Sequence, residues 1–115
     1  MYAHVNVWRL TDQGAQWKDD AGRAIGAALQ VQPGFRSYTL VRTGEWEVVV
    51  ITVFASQPEL DAALAAISPL VNEQIAPLTE NVLERRQGGV LVHLSTWGPR
   101  HGPQTPSARA VPAEP

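Results

Sequence analysis

The sequence predicts a single α+β domain: an antiparallel four-stranded sheet in the order β-α-β-β-α-β, ferredoxin-like, with its helices on one face. Three observations lead there. The chain opens on a strand with strict two-residue alternation. Its middle, Gln32 to Leu64, reads as two strands and a helix with almost no linkers. Two segments carry apolar residues at helical spacing.

The first strand spans Tyr2 to Leu10. Ala3, Val5 and Val7 fall on one face, and Tyr2, His4, Asn6, Trp8 and Leu10 on the other. Thr11 or Asp12 can cap the helix that follows. From about Gln13 to Gln30, Trp17, Ala21, Ala24, Ile25, Ala28 and Leu29 form an apolar stripe. Gly14, Gly22 and Gly26 weaken that helix by up to about 1 kcal/mol each relative to alanine. Gly22 and Gly26 are therefore expected where backbone and sheet approach closely.

Pro33-Gly34 turns the chain into a second strand, whose faces are Arg36, Tyr38, Leu40, Arg42 and Phe35, Ser37, Thr39, Val41. A tight turn at Thr43-Gly44 leads to the third strand. There Val48 to Val53 is nearly all apolar and β-branched, the composition of a strand covered on both sides. Ser56-Gln57-Pro58-Glu59 is a capping box with proline in the first turn, and the helix begins at once. Pro69 is expected to end or kink it, with a second short helix up to Pro77 or Glu80. Asn81 to Arg86 and Val90 to Leu94 are strand-like, separated by a Gly88-Gly89 bulge or turn. Residues 1–96 form the domain. The Pro-rich remainder, 97–115, is expected to be disordered.

Composition narrows the function. The chain has 115 residues, enough for one core, with 44% hydrophobic and 17% charged residues. A net charge of -2, with Lys18 as the only lysine and scattered arginines, gives no basic surface for nucleic acid. Without cysteine there is no disulfide, thiolate chemistry or Cys-based metal site, and the histidines form no recognisable metal motif. No basic region followed by an apolar run opens the chain, and no apolar run nears the roughly 20 residues of a membrane span. A cytoplasmic location without membrane contact is expected. Because helices cover only one face, the doubly apolar third strand requires a cover on the other. A second copy of the sheet would bury Ala3, Val5, Val7, Val49, Ile51 and Val53.

The opening strand AHVNVWRL, the QPGF turn, the apolar strand ending TVFAS and the immediate helix PELDAAL together resemble the antibiotic biosynthesis monooxygenase superfamily. These are the dimeric α+β barrel proteins, and the resemblance covers about Met1 to Leu94. It implies a homodimer and a pocket in each subunit between sheet and helices. His4, Asn6, Trp8, Val48, Val50, Thr52 and Phe54 would face that pocket. Asn6 matches an asparagine of the haem-degrading branch. That branch also carries a tryptophan where this chain has Phe54, and an iron-ligating histidine that Gln57 to Glu80 lacks. The branch that oxidises polycyclic phenols without metal or cofactor places asparagine and tryptophan where Val50 and Phe54 stand.

Individual residues keep two readings. His4 is a general base for an acidic phenol or a histidine bonded to backbone or water. Asn6 within an apolar strand is a ligand contact or is paired to a neighbour, since a bare buried amide costs roughly 1–3 kcal/mol. Arg85-Arg86 places one arginine on each face, to hold a carboxylate or phenolate or as a solvated pair. Trp46 reads as a dimer contact. The expected function is therefore a small dimeric barrel binding an aromatic or apolar molecule, with Trp8, Trp17, Val50 and Phe54 as binding residues. If it is an enzyme, it is a cofactor-independent monooxygenase of a polyketide-like phenol. His4 and Asn6 would then assist proton removal, and Arg86, or its neighbour Arg85, would steady the anion. The alternative is a dimeric barrel that binds ligand or stabilises a partner without catalysis.

Overall fold

A computed structural model describes residues 1–16 and 20–95. The expectations for Trp17 and the tail fall outside the described residues. The elements are β1 (Tyr2–Leu10), α1 (Asp12–Ala15), α2 (Asp20–Gln30), β2 (Phe35–Gly44), β3 (Glu47–Phe54), α3 (Gln57–Gln74), a 3-10 turn (Ala76–Leu78) and β4 (Thr79–Gly89). The sheet is antiparallel in the order β2-β3-β1-β4, the ferredoxin-like arrangement read from the sequence.

The alternation on β1 decides both faces of the sheet. His4 and Asn6 are buried beneath the helices, while Ala3, Val5 and Val7 occupy the opposite face with Val49, Ile51 and Val41. Beneath the helices Ile25, Leu29, Phe54, Leu60, Ala63 and Ile67 form the core. Phe35 meets Phe54 edge to face, with ring centres 5.7 Å apart, a favoured aromatic geometry.

Ser56 caps α3 as expected: its Oγ accepts from the Glu59 N–H at 3.4 Å and donates to Glu59 Oε1 at 3.0 Å. The same carboxylate lies over Gly34, whose φ of 85° is a left-handed value. The left-handed backbone demands glycine there, and a Cβ would also displace the Glu59 carboxylate, 2.5 Å away. The Gly34 carbonyl also accepts from Ala55 N–H at 2.8 Å. The turn into β2 and the start of α3 are thus one joint.

A second joint closes the other end. Thr11 caps α1, and its N–H donates to the Leu78 carbonyl at 3.0 Å. That carbonyl occupies the space a Cβ on Gly14 would need.

Four expectations are corrected. The helix expected over residues 13–30 is divided into α1 and α2, because Thr11 and Gly14 tie α1 to the 3-10 turn. The β2–β3 turn is Glu45-Trp46 rather than Thr43-Gly44; Gly44 still pairs with Glu47, and Arg42 holds the Glu45 carbonyl at 3.1 Å. Pro69 neither ends nor shortens α3, which runs on to Gln74. Its ring is on the exposed side, where a missing backbone bond strands no buried group. The glycines 88 and 89 end β4 as paired residues opposite Ala3 and Tyr2, and 90–95 are not strand. Val90 N–H donates to the Met1 carbonyl at 3.0 Å, and Leu91, Val92 and Leu94 beyond it are exposed.

Gly34→Ala is expected to lower the unfolding free energy by roughly 1–3 kcal/mol, the usual cost of holding a side chain in left-handed backbone. Urea unfolding measures it, and an unchanged midpoint would show that the joint does not constrain the fold.

Candidate functional site

Sheet, α2 and α3 enclose a cavity of about 470 Å³. Its floor is a grid of side chains fixed by strand register. One row crosses the sheet as Tyr38, Thr52, His4 and Gln87. The next runs Leu40, Val50, Asn6 and Arg85, and Trp8 stands beside Val48 in the third. Ile25 and Leu29 of α2 and Leu64, Ile67 and Val71 of α3 form an apolar roof, with Ser68 and Asn72 as its polar members. A volume of this size suits a ligand of a few fused rings.

Asn6 supplies the most informative atom. It is 9% exposed, and its Oδ1 is buried with no hydrogen-bond partner. Buried polar atoms are nearly always paired, because an unpaired one costs about 1–3 kcal/mol. Asn6 lines the cavity, and its side chain keeps one acceptor that the folded chain does not use. Its strand neighbours Val50 and Arg85 do not fill that role.

His4 is buried two residues away on the same face, 6% exposed. Its pKa is lowered from 6.5, first by burial and then by the positive charge of Arg85; the carboxylate of Asp61 opposes both. The imidazole is therefore neutral near pH 7 and free to accept a proton. Thr52, beside it, is 2% exposed.

Tyr38 completes the row. Burial pushes its hydroxyl up to about 12, so it stays protonated. Its ring lies against α2 only because residue 26 is glycine: a Cβ there would sit 3.0 Å from the ring.

The expected site residues divide. Asn6, His4, Trp8 and Val50 come together in the cavity. Trp17 lies outside the described residues. Phe54 shares the correct face but is fully buried against Phe35, in the core rather than on the cavity wall. Arg86 is on the opposite face, across from Val5, with its guanidinium 3.0 Å from Glu84. Arg85, across from Asn6, is the arginine on the cavity side. Thr52, expected to face the pocket, lines it, whereas sequence reasoning did not single out Tyr38, Gln87 or Asn72. Tyr38 had one signal, the glycine pair on the helix above it. Among the described residues no three His, Asp or Glu side chains converge to hold a metal.

Asn6→Leu removes the orphaned acceptor without leaving a void. It is expected to raise the unfolding free energy by about 1 kcal/mol, read from the urea midpoint. A loss of stability instead would mean that the amide is satisfied within the folded chain.

No family model matches the chain, nor does any curated protein. Solved structures do match. SnoaB, a cofactor-independent oxygenase from Streptomyces nogalater, is 23% identical with a TM-score of 0.67, over 81% of this chain and 95% of that one. A proposed antibiotic biosynthesis monooxygenase from Nitrosomonas europaea is 14% identical with a TM-score of 0.68, over 80% of this chain and 100% of that one. Another from Chloroflexus aurantiacus is 18% identical with a TM-score of 0.64, over 82% and 96%. Among the described residues no helix is long and apolar enough to cross a membrane. The chain shares its fold with these solved structures over about four fifths of its length.

Proposed function

We propose that the protein is a cytoplasmic, dimeric, cofactor-independent oxygenase of an acidic aromatic substrate such as an anthrone-type phenol. The observation that carries this reading is the unpaired Asn6 Oδ1, buried in the cavity wall near a neutral histidine. The likeness to SnoaB, a cofactor-independent oxygenase, supports it at the level of fold.

The chemistry follows from what the two side chains can do. The Asn6 oxygen accepts the substrate hydroxyl and fixes the ring. His4 removes a proton from the methylene carbon conjugated to that hydroxyl or its keto form, leaving an electron-rich enolate. One electron passes from the enolate to O2, and the radical pair joins as a C–O bond, giving a peroxide anion. The imidazolium returns its proton to that anion. Loss of water, with the second methylene hydrogen, yields the carbonyl. Methylene to carbonyl is a four-electron oxidation, matched by the four-electron reduction of O2, so no further reductant is needed. Val50 and Phe54 stand where the phenol-oxidising enzymes carry asparagine and tryptophan, and the polar groups here come from β1 instead.

The uncovered face of the sheet supports the dimer. Ala3, Val5, Val7, Val49 and Ile51 are half-buried there, and Val41 is 41% exposed, with no helix of the described residues over them. A second sheet laid on this face would remove those residues from water at about 25 cal/mol per Å². Light scattering on the eluted protein at micromolar concentration is expected to give twice the chain mass; the mass of one chain would end the dimer proposal.

Oxygen uptake with anthrone tests the reaction. Wild type is expected to consume O2, and Asn6→Ala and His4→Gln to lose about a hundredfold in rate, the low end of what a general base contributes. Equal rates in wild type and both variants would remove Asn6 and His4 from the mechanism, and no uptake by wild type would leave only the non-catalytic binding barrel. The rate should fall on acidification with a midpoint below 6.5, as His4 is protonated. Removing the Asp61 carboxylate in Asp61→Asn shifts that midpoint lower still, because the carboxylate favours the charged ring.

A further inference from the structure

The charge of the cavity has a feature the proposed reaction does not use. Among the described residues its lining contains no aspartate or glutamate and one arginine, Arg85. That arginine is exposed and sits on β4, the edge strand, beside Gln87. On the facing helix Ser68 and Asn72 are also exposed, so this side of the cavity is polar and open to solvent. The deeper lining residues Leu29, Val48 and Thr52 are nearly inaccessible.

Arg85 has no ion-pair or hydrogen-bond partner among the described residues, and the two carboxylates of its own strand are otherwise engaged. Glu84 holds Arg86 on the opposite face, and Glu80 holds Arg9 at 3.1 Å. A guanidinium offers a planar fork of donors that fits a carboxylate through two parallel bonds. Left at the rim of an apolar cavity without a counter-charge, it selects for an anion.

We infer that Arg85 is a specificity-determining residue: the cavity takes an amphiphilic anion, a flat apolar ring system whose carboxylate remains at the mouth on Arg85 while its rings lie inside against Trp8, Val50 and the helices. This deepens the proposed function and rests on its reading of the cavity as a ligand site, not on the oxygenation step. It separates two tasks along the same row of the sheet. Arg85 holds the end of the ligand that does not react, and Asn6, its neighbour in register, meets the end that does.

Calorimetric titration with a matched pair of probes, naphthalene-2-carboxylate and naphthalene-2-methanol, tests this. Wild type is expected to bind the carboxylate about tenfold tighter than the alcohol, a difference of ~1.4 kcal/mol, and the preference should shrink with added salt. Arg85→Met should abolish the preference while leaving the alcohol's affinity within about twofold, since the stem remains and only the charge is lost. Arg85→Lys should keep part of it, and Arg86→Met, on the other face, all of it. Equal binding of the two probes by wild type, or a preference that survives Arg85→Met, would overturn the inference while leaving the cavity a ligand site. Binding of neither probe would remove the cavity reading itself, and the inference with it.

Discussion

Pairing of β1 on both of its edges is the constraint on which the site depends. A strand hydrogen-bonded to β3 on one side and β4 on the other has no freedom of register. Asn6 is held between Val50 and Arg85, and His4 between Thr52 and Gln87. A slip of one residue on either edge would turn His4 and Asn6 out toward the uncovered face and bring Val5 and Val7 in. The cavity floor is therefore specified by backbone hydrogen bonds rather than by side-chain contacts. This is how the Asn6 Oδ1 can stand there without a partner: the strands on both sides carry the energetic cost of leaving it unpaired.

The helices are held to that floor by two small joints, one at each end of the sheet. Glu59 over Gly34 fixes where α3 departs, and the Leu78 carbonyl against Gly14 fixes where it returns. Between the joints apolar side chains pack α2 and α3 over the grid, and that packing leaves open space beneath the middle of α3. The cavity follows from this arrangement. Close contact at Phe54, Leu60 and Ala63 gives way to open volume beside Leu64, Ser68 and Val71.

Much of this was legible in the chain. Period-two alternation on β1 gave the correct face to His4, Asn6 and Trp8, and Ser56 to Glu59 gave the start of α3. What sequence could not supply was register between distant strands. Arg85 and Arg86 alternate as expected, yet which of them meets the cavity depends on a shift between Val7 and Trp8 in the β1–β4 pairing. Phe54 illustrates a second limit. Its face was right, but its position at the end of β3, beneath the first turns of α3, makes it core. Pro69 shows a third, since a helix tolerates proline where the lost bond faces water. Tyr38 escaped notice because its clearance is created by Gly26, a residue distant in sequence that reads only as a weak point in a helix.

The bond between Val90 and the Met1 carbonyl has a topological consequence. Residues 1 and 90 sit at one corner of the sheet, while the Glu45-Trp46 hairpin lies at the far end of the strands. The path through the fold is nearly a closed ring. Its connectivity is therefore separable from its geometry: a short linker across the first corner and a cut in the distant hairpin would reorder the chain without moving a single strand. Two copies could also be fused in tandem through that corner, since a linker there enters at the sheet's edge.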